Sequence, residues 1–143
     1  MAACAFFGHK EYYGLDGKLL WEAAEKPIGQ GVDTFYVGNQ WQFDSAVYRC
    51  LKQLRKDYPH IRVCVVLAYL LAEKADGEDL IDTMYPEIEG HPKFAIERRN
   101  RWMIQSSDYC VCYIDHTWGG AYKFARLAKR CCKEVINIGN VEL

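Results

Sequence analysis

Two kinds of hydrophobic pattern alternate along the chain. Short apolar segments rich in aromatic and β-branched residues are followed by longer segments whose apolar residues recur every three or four positions. The first pattern is typical of buried strands and the second of amphipathic helices. Their regular alternation predicts an α/β fold in which crossover helices join parallel strands.

The predicted elements are bounded by the glycines and prolines that flank the apolar segments. We predict strands over Ala2–Phe7, Thr34–Val37, Ile61–Tyr69, Tyr109–Ile114 and Val135–Ile138, and helices over Leu15–Ile28, Phe43–Tyr58, Ala95–Ser106 and Gly120–Cys132. Five mostly parallel strands with helices on both faces make a Rossmann-like three-layer sandwich. Residues 70–94 are polar and rich in glycine and proline, which predicts either a binding loop or lid, or a solvated excursion without special function.

Length and charge narrow the class of protein. The 143 residues predict one domain over 1–143 with a sizeable core. With 18 basic and 19 acidic residues the net charge is -1, which argues against nucleic acid or an anionic membrane as the partner. The N-terminal residues lack a basic leader and no apolar run has the length of a membrane span, so we expect a cytoplasmic protein.

The seven cysteines do not have the spacing of a disulfide scaffold, and most lie in apolar segments. A reducing compartment and free thiols that pack as small hydrophobes explain them. Cys110 and Cys112 share one face of a predicted strand, and Cys131 and Cys132 are adjacent. Without a second cysteine or histidine pair at metal-site spacing, packing is favoured and no metal site is predicted.

Ligands of open parallel sheets bind beyond the carboxyl ends of the strands. That rule, with the helix positions discussed next, gives the candidate ligand-binding residues: Gly8, His9, Lys10, Gly38, Asn39, Arg99, Asn100, Asp115, Gly119 and Gly120. Asp44 joins these candidates only through the family resemblance described below. Some have simpler explanations as well, since His9 could cap a turn and Gly119–Gly120 could be a tight connection. As the start of a helix, however, that glycine pair could receive a phosphate on its free N–H groups.

Arg99 is the candidate whose direction the helical period specifies. It shares a face with the apolar Met103, which turns it toward the predicted crevice with Asn100 beside it. An arginine there suits bidentate recognition of a phosphate or carboxylate, whereas the alternative is a structural ion pair with Glu97 or Asp108. Arg98 and Arg101 point elsewhere, to solvent or to a subunit contact.

Motifs for catalysis and for cofactors are missing from the sequence. It has neither GxGxxG nor GxxxxGK[ST], and no spacing typical of a Ser-His-Asp or Cys-His site. Asp115 and His116 are neighbours in sequence, which does not make them a catalytic dyad. We therefore predict no cofactor and favour binding over catalysis.

Several short motifs in order along the chain resemble the SLOG superfamily. They are Phe6-Phe7-Gly8-His9-Lys10, Gly38 followed by Asp44, Arg99-Asn100-Arg101-Trp102-Met103 leading into Ser107-Asp108, and Gly119-Gly120. That Rossmann-like group contains the lonely-guy phosphoribohydrolases and the DNA-processing protein A fold. Small bacterial and phage members of unknown function are the most similar. The resemblance implies a site for nucleotides or nucleotide-derived signals, and a homo-oligomer.

The chain departs from the lonely-guy motif PGGxGTxxE at the positions that matter for hydrolysis. Aligned on Gly119-Gly120, the third glycine is Tyr122, the threonine is Lys123 and the final glutamate is Arg126. A carboxylate can stabilise the oxocarbenium-like state of N-glycosidic hydrolysis, and an arginine there opposes it. Lys123 suits phosphate binding, whereas Tyr122 narrows the loop.

Three functions follow from these observations. The favoured one is non-catalytic binding of a nucleotide or nucleotide-derived small molecule, as sensor, carrier or sequestering module. The second is a nucleoside-monophosphate N-glycosidase or phosphoribohydrolase with a displaced carboxylate, for which Asp44, Asp115 and Glu97 are candidates. The third is an oligomeric interaction protein with a vestigial site, whose aromatic residues (14%) would serve an interface.

Overall fold

The described part of the chain forms one parallel sheet between two layers of helices. The computed structural model describes residues 2–12, 17–69, 82–86 and 90–143. The strands are β1 (Ala2–Gly8), β2 (Val32–Val37), β3 (Arg62–Val66), β4 (Asp82–Met84), β5 (Tyr109–Tyr113) and β6 (Glu134–Asn137). The helices are α1 (Gly17–Gly29), α2 (Gln42–Asp57), α3 (Ala95–Gln105) and α4 (Gly120–Cys131), with a short 3₁₀ turn at Pro92–Phe94 before α3. This confirms the predicted Rossmann-like α/β class.

The order of the strands creates a crevice beside β1. Across the sheet the order is β4-β3-β2-β1-β5-β6, so successive crossovers run from β1 to β4 in one direction and the chain then returns to the other side of β1. Gly8 at the end of β1 pairs with Tyr113 at the end of β5. The residues that follow these two strands therefore emerge side by side where the strand order reverses, which is the usual ligand crevice of such sheets.

Alternating side chains of the central strands build a separate core on each face of the sheet. Phe6 of β1 packs in the core that includes α1 and α2, and Phe7 packs in the core that includes α3 and α4. Helix α2 buries one stripe at helical spacing, formed by Phe43, Val47, Leu51 and Leu54. Burying each such side chain contributes about 1.5–3 kcal/mol, which fixes the helices against the sheet.

The observed boundaries differ from the predicted ones mainly at the sheet edge. β4 was not predicted, because three residues are too few to show an alternating pattern. It lies within the predicted excursion 70–94, of which residues 70–81 and 87–89 are outside the described residues. The predicted start of the first helix at Leu15 also lies outside them. None of the helices in the described ranges is long and apolar enough to cross a membrane.

The cysteines of the central strands are packing residues. Cys4, Cys64, Cys110 and Cys112 are all buried. Cys110 and Cys112 belong to the core beneath α3 and α4, as expected for two strand residues that share a face. The Cys110 Sγ lies 3.4 Å from the Cys132 Sγ.

Candidate ligand cleft

An open cleft of about 900 Å³ lies over the carboxyl ends of β1 and β5, where the strand order reverses. Its walls come from the loops after both strands, the segments before and within α3, the start of α2 and the first turn of α4. Ligand sites for molecules the size of a nucleotide have about this volume. Polar and charged side chains line it together with aromatic ones, and the most informative are described below.

The β1 side of the cleft is set by tight packing at Gly8. A Cβ there would lie 2.8 Å from Phe43 Cδ2 and 3.0 Å from Tyr113 Cβ, so packing alone requires glycine at this position. The next residue, His9, donates its backbone N–H to the Tyr113 carbonyl at 3.1 Å and so stays aligned with β5. This alignment brings its side chain to the residues that follow β5.

Three aromatic rings form a stack that crosses from the β1 side to the β5 side. The rings of His9 and His116 are parallel, with centroids 3.5 Å apart, and the Trp118 ring lies 4.1 Å beyond His116. His9 is buried, whereas Trp118 is 68% exposed. The outer face of this stack therefore offers a flat aromatic surface at the cleft.

Asp115 lies beside the two histidine rings of the stack. Its Oδ1 lies 2.5 Å from His116 Nδ1, and its Oδ2 accepts a hydrogen bond from the Tyr113 hydroxyl at 3.2 Å. Burial raises the pKa of Asp115, but the hydrogen bonds from His116 and Tyr113 outweigh it and the pKa is lowered overall. The pKa of His9 is lowered by burial and by the neighbouring His116, with Asp115 opposing the change. A carboxylate and a neutral His9 result at neutral pH.

The first turn of α4 forms another wall. Gly119 precedes it with φ +89, a conformation that favours glycine, and no side chain caps this helix start. The first N–H groups of a helix lack intrahelical partners, and Gly119, Gly120 and Ala121 all line the cleft. The Lys123 ammonium lies on the same wall, 2.7 Å from Glu97 Oε1.

Lysine side chains also reach the cleft from elsewhere. Lys10 lies over the Trp41 ring, with Nζ 4.7 Å from its centroid, and Lys93 comes from the turn before α3. Together with Lys123 they bring three ammonium groups to a cleft that also carries the carboxyl groups of Glu11, Glu97 and Asp115.

Arg99 and Asp44 belong to a second polar cluster, which is buried. A Cβ at Gly38 would lie 2.6 Å from Arg99 Nη1 and 2.8 Å from Asp44 Oδ2, so both side chains meet at the end of β2. Arg99 donates to the Val66 carbonyl at 3.0 Å and to Asn100 Oδ1 at 2.8 Å. Arg99 is only 2% exposed and does not line the cleft.

Asp44 acts on helix α2. Its Oδ2 accepts hydrogen bonds from the backbone N–H groups of Gln40 at 2.9 Å and Trp41 at 3.4 Å. These bonds tie the two residues just before α2 to its first turn. Burial raises the pKa of Asp44, with the Gln40 hydrogen bond and the charge of Arg99 opposing it. Burial likewise lowers the pKa of Arg99, and Asp44 opposes that change.

The candidate ligand residues thus separate into two groups. Those that line the cleft are Gly8, His9, Lys10, Asn100, Asp115, Gly119 and Gly120. Those outside its lining are Gly38, Asn39, Asp44 and Arg99. The alternative ion pair of Arg99 with Glu97 or Asp108 is not what the structure shows, because Arg99 faces Asp44 while Glu97 pairs with Lys123.

Some cleft residues were not among the predicted site residues. Trp41, Lys93, His116 and Trp118 line the cleft, as does Lys123, whose charge the sequence had suggested would suit phosphate. Trp118 adjoins the glycine pair in sequence, which was an available signal. Lys93 and Trp41 gave none, because their places depend on how α2 and α3 pack on the sheet.

Fold and cleft together define a Rossmann-like α/β protein with an open cleft at the reversal of strand order. No protein-family model matches the sequence, and no curated protein does either. Among solved structures, the chain is similar to DNA processing protein A from Helicobacter pylori, with a TM-score of 0.63, 15% identity and 95% of this chain covered. The chain spans 64% of that protein's chain. The predicted relationship to the DNA-processing protein A fold is thereby confirmed at the level of fold.

The comparison corrects the prediction about nucleic acid. The Helicobacter pylori protein was described for its binding of single-stranded DNA, which contradicts the expectation that nucleic acid is unlikely as a partner. Net charge alone does not decide such a question, because the placement of charged groups at a site governs phosphate binding. A chain of net charge -1 can still place three lysines around one cleft.

Proposed function

We propose that the cleft binds a nucleotide without hydrolysing it, either as a free nucleotide-derived molecule or as a unit of single-stranded nucleic acid. The observation that carries the proposal is the presence, on one cleft, of an uncapped helix start and an exposed aromatic stack. The resemblance to the SLOG superfamily, whose ligands are nucleotides and nucleotide-derived signals, supports the same conclusion.

The phosphate group is assigned to the first turn of α4. Free N–H groups and the positive end of the helix dipole favour an anion there. Gly120 leaves open space where a Cβ would be, which allows close approach to the backbone. Lys123 lies within the same turn and could exchange its contact with Glu97 for one with the phosphate.

The base is assigned to the outer face of Trp118. Stacking on an aromatic side chain contributes about 1–3 kcal/mol per base and tolerates any sequence. The ring is already oriented by its contact with His116, so little side-chain freedom would be lost on binding.

Binding without hydrolysis is favoured by the state of the candidate carboxylates. Asp44 is buried outside the cleft lining. Asp115 and Glu97 do line it, but Asp115 contacts His116 and Tyr113, and Glu97 pairs with Lys123. Arg126, at the position of the lonely-guy glutamate, donates to the Tyr122 hydroxyl at 3.3 Å.

Calorimetric titration and thermal shift test the proposal, using nucleoside monophosphates, dinucleotides, ADP-ribose-type molecules, cyclic nucleotides and short single-stranded DNA. A ligand at a hundred times its Kd should stabilise the fold by about 2.7 kcal/mol. Lys123→Ala should weaken binding, whereas Lys129→Ala, an exposed lysine on the same helix outside the cleft lining, should not.

Chromatography of each mixture then separates the alternatives. Intact ligand supports the proposal, and released base would establish the N-glycosidase instead. Binding of oligonucleotides but not of mononucleotides would identify single-stranded nucleic acid as the ligand. No binding in any mixture would contradict the proposal and favour the oligomeric interaction protein, which size-exclusion chromatography would then examine.

A further inference from the structure

Three metal-ligating side chains meet at the inner end of the ring stack. One ligand atom each from His9, Asp115 and His116 lies within 4.8 Å of the others. His9 follows β1, whereas Asp115 and His116 follow β5, so the group exists only because the two strands are neighbours. Two imidazoles and a carboxylate are typical of sites for zinc and similar transition metals.

The hydrogen bonding of His9 points to a missing ligand. Its side chain is 91% buried (9% relative exposure), and Nε2 has no hydrogen-bond partner among the described residues. Buried polar atoms almost always have one. The nearest charged atom is Asp115 Oδ1 at 3.4 Å, which is already engaged by His116. A cation between them would satisfy both the imidazole lone pair and the carboxylate.

The distance between His9 and Asp115 suits such an ion. Bonds of about 2.0–2.2 Å in a tetrahedral site place ligand atoms roughly 3.3 Å apart. The His9–Asp115 distance of 3.4 Å agrees with this. The half-buried His116 ring, now stacked parallel to His9 with its Nδ1 2.5 Å from Asp115, would have to turn out of the stack to direct a nitrogen at the ion. The Tyr113 hydroxyl holds the second carboxylate oxygen, as the outer hydrogen bonds of metal ligands commonly do.

We propose that His9, Asp115 and His116 bind a divalent transition-metal ion of the Zn²⁺ type, with a remaining coordination position open to the cleft. All three residues line that cleft. The glycine pair lies at the other edge of the His116 ring, where a Cβ at Gly119 would be 4.0 Å from Nε2. A phosphate oxygen could complete its coordination, and this last step alone rests on the proposed function.

Titration with Co²⁺ in the absence of nucleotide tests the site, because bound Co²⁺ reports its ligands by visible absorption. The wild-type protein should bind one ion per chain. Asp115→Asn and His116→Ala, at partly exposed positions, should each weaken binding by more than about tenfold. His9→Gln should do the same where circular dichroism shows that it folds.

The remaining histidines and the exposed cysteine provide matched controls. The double variant His60→Ala/His91→Ala removes the other two histidines of the sequence, both exposed, and should bind Co²⁺ as the wild type does. Cys131→Ser removes the exposed thiol and should also leave binding unchanged. The metal site would be overturned if the wild-type protein bound no Co²⁺, or if Asp115→Asn and His116→Ala bound it with wild-type affinity. A thiolate-to-cobalt band in the near ultraviolet would also overturn it.

A failed metal site and a failed nucleotide site give different results. Lys123→Ala should keep Co²⁺ affinity while losing nucleotide affinity, since Lys123 is not one of the three ligands. Nucleotide binding with no Co²⁺ binding would overturn the metal site alone. Co²⁺ binding with no nucleotide binding would contradict the proposed function alone.

Discussion

Two polar clusters lie at the carboxyl edge of the same sheet, and they differ in whether their side chains keep an atom without a hydrogen-bond partner. The Asp44–Arg99 cluster is buried at the end of β2, and its hydrogen bonds go to Val66, Asn100 and the start of α2. The His9–Asp115–His116 cluster borders an open cleft at the ends of β1 and β5. One of its nitrogens, His9 Nε2, has no hydrogen-bond partner among the described residues.

The positions of the helices explain the difference. Asp44 comes from α2 on one face of the sheet and Arg99 from α3 on the other, and both side chains lie against Gly38, which closes the edge at β2. Beside β1 the strand order reverses and leaves the edge open. A charged residue near a strand end is therefore a ligand candidate only where the topology leaves space and the side chain keeps bonding capacity.

The largest effect is expected for Arg99→Met, because it leaves the Asp44 carboxylate buried without its neighbouring positive charge. Arg99→Met also removes the hydrogen bonds to the Val66 carbonyl and Asn100 Oδ1, and losing hydrogen bonds made by a charged group costs about 1.5–3 kcal/mol each. Urea denaturation should show this loss, whereas Arg101→Met, at an exposed position of the same helix, should stay within about 0.5 kcal/mol of wild type. Unchanged stability combined with lost nucleotide affinity would contradict the comparison and make Arg99 a ligand residue.

The same substitution at one glycine of each region gives a second, smaller contrast. Gly38→Ala places its Cβ against Arg99 and Asp44 at less than 3 Å, and such overpacking costs about 1–3 kcal/mol. Gly120→Ala meets no atom within 4 Å and should leave stability unchanged or slightly raised, while hindering an anion at the helix start. Equal losses of stability in urea denaturation would show that the two regions do not differ.

The sequence predicted most of the fold because its elements have strong local signals. The stripe Phe43, Val47, Leu51 and Leu54 specifies α2, and the apolar segment around Phe6 specifies β1. The three-residue β4 has no such signal, since its pairing with β3 depends on a partner distant in sequence.

The candidate site was less predictable, because side-chain direction depends on packing. Helical periodicity correctly turned Arg99 inward, but the side chain lies outside the cleft lining, because it meets Asp44 from another helix beside Gly38. The approach of His9 to Asp115 requires the pairing of β1 with β5, which two short apolar segments do not encode. Gly8, predicted for ligand contact, is required by its packing against Phe43 and Tyr113.

Trp118→Ala tests whether a residue of the open cleft affects ligand affinity without affecting stability. The exposed ring contributes little to packing, so stability should stay within about 0.5 kcal/mol of wild type. Nucleotide affinity should fall by about 1 kcal/mol or somewhat more, roughly five- to tenfold, because the base loses its stacking surface. Phe94→Ala removes another exposed aromatic ring, outside the cleft lining, and should leave affinity unchanged in the same calorimetric titration. Unchanged affinity in Trp118→Ala would place the base elsewhere.

The smallest effect concerns the pH dependence of the buried cluster. Burial raises the pKa of Asp44 in the folded protein above its value in the unfolded chain, so folding favours the protonated carboxyl. The stability gained from protonation is complete below the unfolded pKa and is lost as the pH rises through the folded pKa.

The side-chain amide of an Asp44→Asn variant does not titrate. Wild type should therefore gain stability relative to that variant as the pH falls from 7 toward 4, by about 1 kcal/mol or less. Urea denaturation at several pH values measures the difference, and the opposite slope would mean that Arg99 holds Asp44 ionised as a true buried ion pair.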